Sequence, residues 1–251
     1  MGQVPAATRT LRVLRFLASQ PEPVPLDRIV RTCGLPRSTA YHLLTAMIEE
    51  GFVVHLADEH RYGLGVAAFE VGSGFSRQVP LQRMSRRALA DLADRTGQTS
   101  HLAVLHGRDV LYVVEERAPG RPPLVTDVGV RLPAHLTASG RAILSALPAA
   151  QVRALYPDAG SFVDRHGTGP RTLSALRSVL SETRRRGHAT EEGEVTPGYA
   201  SVAAPVLDHN AHPVAGLAVT YAEAPETEDD ALAREVRRAA AALTQRLGGP
   251  G

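Results

Sequence analysis

The chain has 251 residues, 43% hydrophobic and 22% charged, with 28 basic and 26 acidic side chains giving a formal charge of +2, a balance ordinary for a globular protein of one or two domains. No apolar run approaches the roughly 20 residues that span a bilayer, and Met1–Thr10 carries no signal-peptide stretch, so a cytoplasmic protein without membrane partners is expected. The single cysteine, Cys33, makes no intramolecular disulfide and leaves no multi-cysteine metal site.

From the N-terminus, Leu11, Val13, Leu14, Phe16 and Leu17 form an amphipathic helix after Thr8, closed by Pro21, Pro23 and Pro25. Leu26–Thr32 reads as a second short helix. Gly34 then ends it, and Pro36 opens a third helix reaching Glu50. In this third helix Ala40, Leu43, Leu44, Met47 and Ile48 recur at i, i+3, i+4, i+7 and i+8, which predicts one buried stripe. A hairpin follows, with strands over 52–56 and 61–64 and a turn at 57–60. Three helices and a hairpin are the order of a winged helix-turn-helix.

Off the apolar stripe lie Arg37, Ser38, Thr39, Tyr41, His42 and Thr45. Arginine takes guanine bidentately, and the hydroxyl and imidazole groups reach phosphates or base edges. The plain alternative is a solvated polar face. Arg61 stands where a wing touches the DNA backbone or minor groove, although Asp58 and Glu59 beside it oppose that role.

Residues 66–96 read as a helical connector with two apolar stripes. Leu64, Ala68, Val71 and Phe75 form the first. After Gly72-Ser73-Gly74 and Pro80, the stripe restarts with Leu81, Met84, Ala88, Leu89 and Leu92. Either a second subunit or the chain's own second domain must cover them. Beyond, strands are expected at His101–Leu105, Val110–Glu115, Leu124–Val128, Ser201–Leu207 and Val214–Tyr221. Helices are expected at Thr137–Leu147, Ala149–Tyr156, Leu173–Arg186 and Ala231–Leu247. Strands, helices, then strands predict an α+β fold with helices against a sheet.

Enzyme chemistry finds little support. All 28 basic residues are arginine, which removes Schiff-base, P-loop and Ser-x-x-Lys lysines. No G-x-S-x-G or H-E-x-x-H occurs. No catalytic residue, metal ligand set or cofactor is expected, scattered His101, His106 and His135 being a weak candidate for a metal.

With these motifs placed, the chain resembles the IclR family of bacterial transcriptional regulators. The resemblance rests on Leu35-Pro36-Arg37-Ser38-Thr39-Ala40-Tyr41, Gly51-Phe52-Val53, Arg61-Tyr62-Gly63-Leu64-Gly65, the run from Leu132 to Arg141, and Ser201-Val202-Ala203-Ala204-Pro205-Val206. Arg141 stands where the family usually shows lysine. The resemblance implies a winged helix-turn-helix over residues 1–65, linker or dimerisation helices over 66–96, and a GAF-like effector-binding domain over 97–251. It further implies a homodimer or tetramer on double-stranded operator DNA, as a repressor of a catabolic operon. A small organic ligand, an aliphatic or aromatic carboxylate, would control it. Carried over by position, the effector site would hold Ala138, Ser139, Gly140, Glu191, Ser201 and Val219. Backbone N–H groups at a helix N-terminus suit a carboxylate; capping by Thr137 or Ser139 is the alternative. Leu102, Val104, Val125 and Tyr199 are further lining candidates and equally good core residues. A winged-helix module binding protein rather than DNA is the rival reading.

Overall fold

The computed structural model describes residues 4–78, 80–223 and 229–250, in two compact units, Met1–Val79 and Pro80–Gly251. The first contains α1 (Pro5–Ala18), β1 (Val24–Pro25), α2 (Leu26–Cys33), α3 (Arg37–Glu49), β2 (Val53–Leu56), β3 (Arg61–Leu64) and α4 (Val66–Gln78). Helix α1 begins at Pro5, ahead of the expected start, because proline in the first turn lacks only an N–H that the helix cannot use. Gly34, at φ 63°, closes α2 and turns its N–H back to the Val30 carbonyl. The sheet order is β1-β3-β2. Strand β1 was not foreseen, since two residues between prolines show no alternation.

Val13, Leu17, Ile29, Ala40, Leu44, Met47 and Val53 form the core of this unit. The expected α3 stripe is narrower than predicted: Ile48 remains 37% exposed. Helix α4 runs through Gly72-Ser73-Gly74 without the break those residues suggested. The side chain of Phe75 lies outside the described residues. The units divide inside the expected connector, so α4 falls in the first unit and α5 (Pro80–Thr96) in the second.

The second unit continues with β4 (Thr99–His106), β5 (Asp109–Glu116), β6 (Arg131–Pro133), α6 (Ala138–Ala146), α7 (Ala149–Leu155), α8 (Leu173–Arg186), β7 (Ala189–Glu192), β8 (Tyr199–Leu207), β9 (Pro213–Ala222) and α9 (Asp229–Arg246). Its antiparallel sheet has the order β6-β5-β4-β9-β8-β7. The strand expected at Leu124–Val128 is instead irregular chain between β5 and β6. Strand β7 escaped prediction because it is a polar edge strand paired only with β8.

Side chains alternate across this sheet. Leu102, Val202, Leu217 and Val219 face one way, into a core with Leu89 and Leu92 of α5 and Val236 and Leu243 of α9. The stripe of α5 is therefore covered by its own chain. Ala103, Val110 and Tyr112 face the other way, toward Ile143, Leu144, Leu176 and Leu180 of α6 and α8.

Helix α6 lies closest to the sheet, Ala138 and Ala142 against Ala203 and Ala218. A Cβ added at Gly216 would stand 2.5 Å from the Ser139 carbonyl oxygen, and one at Gly140 2.2 Å from that of Ala134. Gly216→Ala and Gly140→Ala should each destabilise this unit by about 1–3 kcal/mol in urea unfolding. Gly72→Ala, with nothing within 4 Å of the new methyl, should instead gain about 0.5–1 kcal/mol. Equal midpoints for all three variants would refute the close approach.

Candidate functional site

Two surfaces carry chemistry, one in each unit. In the first, Gly34, Leu35 and Pro36 deliver the chain into α3, whose buried residues are Ala40, Leu44 and Met47. The same winding leaves Arg37, Ser38, Tyr41, His42 and Thr45 exposed and Thr39 half-buried. Tyr41 is 58% exposed, which is uncommon for an aromatic side chain with no core to join. Thr45 turns its hydroxyl back to the Tyr41 carbonyl at 3.0 Å. Arg37 forms an ion pair with Asp27 in the first turn of α2. Sequence reading missed this partner, because the pair joins separate helices. Both side chains are 68% exposed, and such pairs are worth about 0–1 kcal/mol, so Arg37 is only weakly held by Asp27.

Arg61 is held differently. It lies on the central strand β3, donates to the Pro23 carbonyl at 3.2 Å and has Glu22 and Glu59 each at 3.9 Å. The guanidinium thus leans toward β1. His55 and Tyr62, paired across β2 and β3, stack at 4.5 Å and stiffen the hairpin.

In the second unit a small cavity of about 20 Å³, room for a water-sized molecule, opens on the helix-α6 side of the sheet, well below the roughly 300–1,000 Å³ usual for small-molecule sites. Strands supply Tyr112, Glu191, Tyr199, Ser201 and Thr220; connections supply Leu124, Val125, Thr126, Val195 and Thr196. Of the residues carried over by position, Glu191 and Ser201 line it, as do Val125 and Tyr199. Val219 does not: it points into the opposite core with Leu102, and its neighbour Thr220 takes the cavity side. Val104 packs against that opposite core too.

Ala138, Ser139 and Gly140 do not line the cavity, although the Ser139 side chain neighbours Tyr112, which does. Thr137 caps α6, its hydroxyl accepting the Gly140 N–H at 3.0 Å, so capping is what the structure shows for this turn. Gly140 is pressed on Ala134 and Ser139 on Gly216. The buried Ser139 hydroxyl lacks a well-formed hydrogen bond, and Tyr112 is the polar group beside it. Tyr112 and Thr220 were missed; strand alternation from Val110 and Ser201 would have found both.

Glu191 is 4% exposed. Its Oε1 accepts the Val195 N–H at 3.0 Å, and the Ser201 and Thr220 hydroxyls are joined at 2.9 Å. Burial pushes the Glu191 carboxyl up to about 7, with nearby Glu194 adding to the rise; the Val195 N–H, Ser201 and Arg141 only partly offset it. Burial, together with the Glu191 charge, likewise raises the Tyr112 phenol. Behind Thr126, His101 Nε2 lies 3.3 Å from the threonine hydroxyl. Burial, then Arg117, drives this imidazole down to about 3, so it is neutral. Among the described residues no group of three or more His, Cys, Asp or Glu side chains is placed to hold a metal, and no helix is long and apolar enough to cross a membrane.

Two family models match the chain: the IclR helix-turn-helix domain over residues 6–57 and the bacterial transcriptional regulator IclR C-terminal domain over 75–245. The glycerol operon regulatory protein of Streptomyces griseus is 34% identical, the match covering 96% of this chain and 95% of that protein. The acetate operon repressor of Salmonella typhimurium is 31% identical over 99% of this chain and 92% of its own length. In fold, the chain is similar to an IclR homologue from Microbacterium hydrocarbonoxydans solved with 4-hydroxybenzoate: TM-score 0.82, 20% identity, 96% of this chain and 98% of that one covered.

The Glu191 carboxyl gives a pH test. With its folded value near 7 against 4.5 unfolded, the folded state holds the extra proton between those values, so stability falls as pH rises through that window. The loss should approach about 3 kcal/mol by pH 8. Glu191→Gln should remove this slope and be the more stable protein at pH 8 by urea unfolding. Parallel pH profiles would contradict the buried carboxyl.

Proposed function

The chain belongs to the IclR family of bacterial transcriptional regulators, and we propose that it is a repressor of a catabolic operon released or recruited by a small organic effector. The observation that carries this reading is the exposed first turn of α3: an arginine, hydroxyls and an exposed Tyr41 with no structural duty. Arg37, Ser38, Thr39, Tyr41 and His42 are the residues proposed to meet bases and phosphates. Arg61, with its carboxylate neighbours, is proposed only as a flanking backbone contact.

The Tyr112–Glu191 cavity is proposed as the effector site. Its mixed lining of hydroxyls, one carboxyl and apolar walls suits a small organic molecule of the kind to which the resemblance points, admitted by movement of the lining side chains, and the relative holding 4-hydroxybenzoate supports such a ligand. The relatives' acetate and glycerol operons support a catabolic target. Effector and DNA would be coupled by about 1–3 kcal/mol, a 5- to 150-fold change in operator affinity.

A homodimer is proposed as the working unit, since operators read by helix-turn-helix proteins pair two half-sites. Val66, Phe69 and Val71 on α4, at 72%, 76% and 61% exposure, supply apolar surface for a second copy.

The test is fluorescence anisotropy with DNA from upstream of the gene, titrated with protein and with a panel of small organic compounds. Salt-dependent binding that one compound shifts is the expected result; affinity no greater than for random DNA would favour the protein-partner alternative. Arg37→Ala should weaken operator binding by about 1–3 kcal/mol, and an unchanged affinity would remove the arginine from the interface. Phe69→Glu with Val71→Glu should yield a smaller species in sedimentation; an unaltered mass would place the dimer contact elsewhere.

A further inference from the structure

We propose that residues 121–128 are a lid over the Tyr112–Glu191 cavity, latched shut by the Thr126 hydroxyl on His101, and that a ligand enters by lifting it. The inference rests on this cavity being the effector site and adds how that site opens.

At about 20 Å³ the cavity holds little more than a water molecule, so an organic ligand requires part of the wall to move. Much of the wall is sheet: Tyr112, Glu191, Tyr199, Ser201 and Thr220 stand on paired strands, whose ladders resist displacement. Leu124, Val125 and Thr126 belong instead to the irregular chain between β5 and β6. Among the described residues, the backbone from Pro122 to Thr126 makes no hydrogen bond. This is the part of the wall that lifts without breaking a ladder.

The ends of the stretch are built to turn. Gly120 and Gly129 have φ of 80° and 90°, in the left-handed region that glycine occupies without strain. Nothing lies within 4 Å of where a Cβ would stand on either. Between them Pro122 and Pro123 fix their own φ and hold the residue before each extended, which lets the segment move as a unit.

Three hydrogen bonds tie this segment and its closing glycine to the rest of the domain among the described residues. Arg121 Nε donates to the Gly97 carbonyl at 2.7 Å, and the Gly129 N–H donates to the Tyr112 carbonyl at 2.9 Å. Both sit at exposed ends. The third, Thr126 Oγ1 with His101 Nε2 at 3.3 Å, is buried in the middle.

His101 has a second partner within reach. Its Nδ1 faces Glu115 Oε2 at 3.8 Å, and neither atom has a hydrogen bond; the other oxygen of Glu115 is held by Arg117 at 2.7 Å. The imidazole is neutral, so either placement of its proton leaves one nitrogen for Thr126. Lifting the lid frees the ring to close the gap on Glu115. The open state thereby recovers a hydrogen bond for the one it loses, which keeps the two states close in energy.

The test is thiol labelling of Thr220→Cys, a reporter inside the cavity, in the full chain, whose own Cys33 is buried in the first unit. Reaction with iodoacetamide is followed by peptide mass. A lid open about 0.1–10% of the time makes this thiol react about 10- to 1,000-fold slower than a free one. Thr126→Val, which keeps the shape and loses the hydroxyl, should speed labelling about three- to tenfold, the worth of one hydrogen bond. Thr126→Ser should return the rate to that of the Thr220→Cys protein. Arg121→Ala, an exposed change that leaves the core intact, should also speed it. Thr196→Val, on the β7–β8 connection of the same cavity, should leave it unchanged. A thiol as reactive as a free one, a rate that ignores both Thr126→Val and Arg121→Ala, or equal acceleration by Thr196→Val would overturn the lid. The labelling is read without any effector; whether the cavity is the effector site is decided separately, by whether the labelled protein loses its anisotropy response.

Discussion

Helix α6 lies on the middle of the six-stranded sheet at nearly backbone-to-backbone distance, and the second unit is arranged around that approach. Gly140 against Ala134, and Gly216 against Ser139, leave no space for a Cβ, while the rest of the seam is alanine. Small residues gain little from hydrophobic burial individually, so the seam's contribution is geometric: close packing in which each missing methyl is already counted. Arg141 then ties α6 to β7 and to the chain before the helix. With the helix seated this low over β8 and β9, a small space remains on the same face, lined by Tyr112 of β5, Thr220 of β9, Ser201 of β8 and Glu191 of β7. That space is the cavity.

The same seating accounts for the electrostatics. A helix start raised slightly from the sheet would present free N–H groups to a ligand, as anion sites do. Here Thr137 takes the Gly140 N–H of that turn, and the Gly140 and Ser139 backbones press on Ala134 and Gly216. Glu191 is left as the strongest electrostatic feature of the cavity, on a strand short enough that Glu194 and Arg141 pair beyond it. In the first unit the charge arrangement is looser. The Arg37–Asp27 pair is exposed, so the arginine is oriented without being strongly held.

Much of this was legible in the sequence where periodicity and punctuation were strong. The α3 stripe, the Gly34–Pro36 turn and the hairpin specify the first unit almost alone, and the motifs from Leu132 to Arg141 and from Ser201 to Val206 located the second. The failures have identifiable causes. Strand β7 is polar because it is an edge, and Leu124–Val128 is apolar because it walls the cavity rather than because it pairs in the sheet. Helix α4 spans Gly72 and Gly74 although each glycine costs a helix interior up to about 1 kcal/mol. Position-by-position transfer missed the face of β9 by one residue, and with period-two alternation one residue is the whole difference between Val219 in the core and Thr220 in the cavity.

That alternation has a further consequence. On β8 and β9 the residues that hold α5 and α9 (Val202, Leu217, Val219) are interleaved with those that line the cavity (Ser201, Thr220). Adhesion and the cavity lining are thus written on opposite sides of the same strands, in separate alphabets. A lineage can respell the cavity face, exchanging a hydroxyl for a methyl or an acid for an amide, while the letters that keep the domain folded stay as they are. Specificity in such a domain is free to drift faster than its architecture.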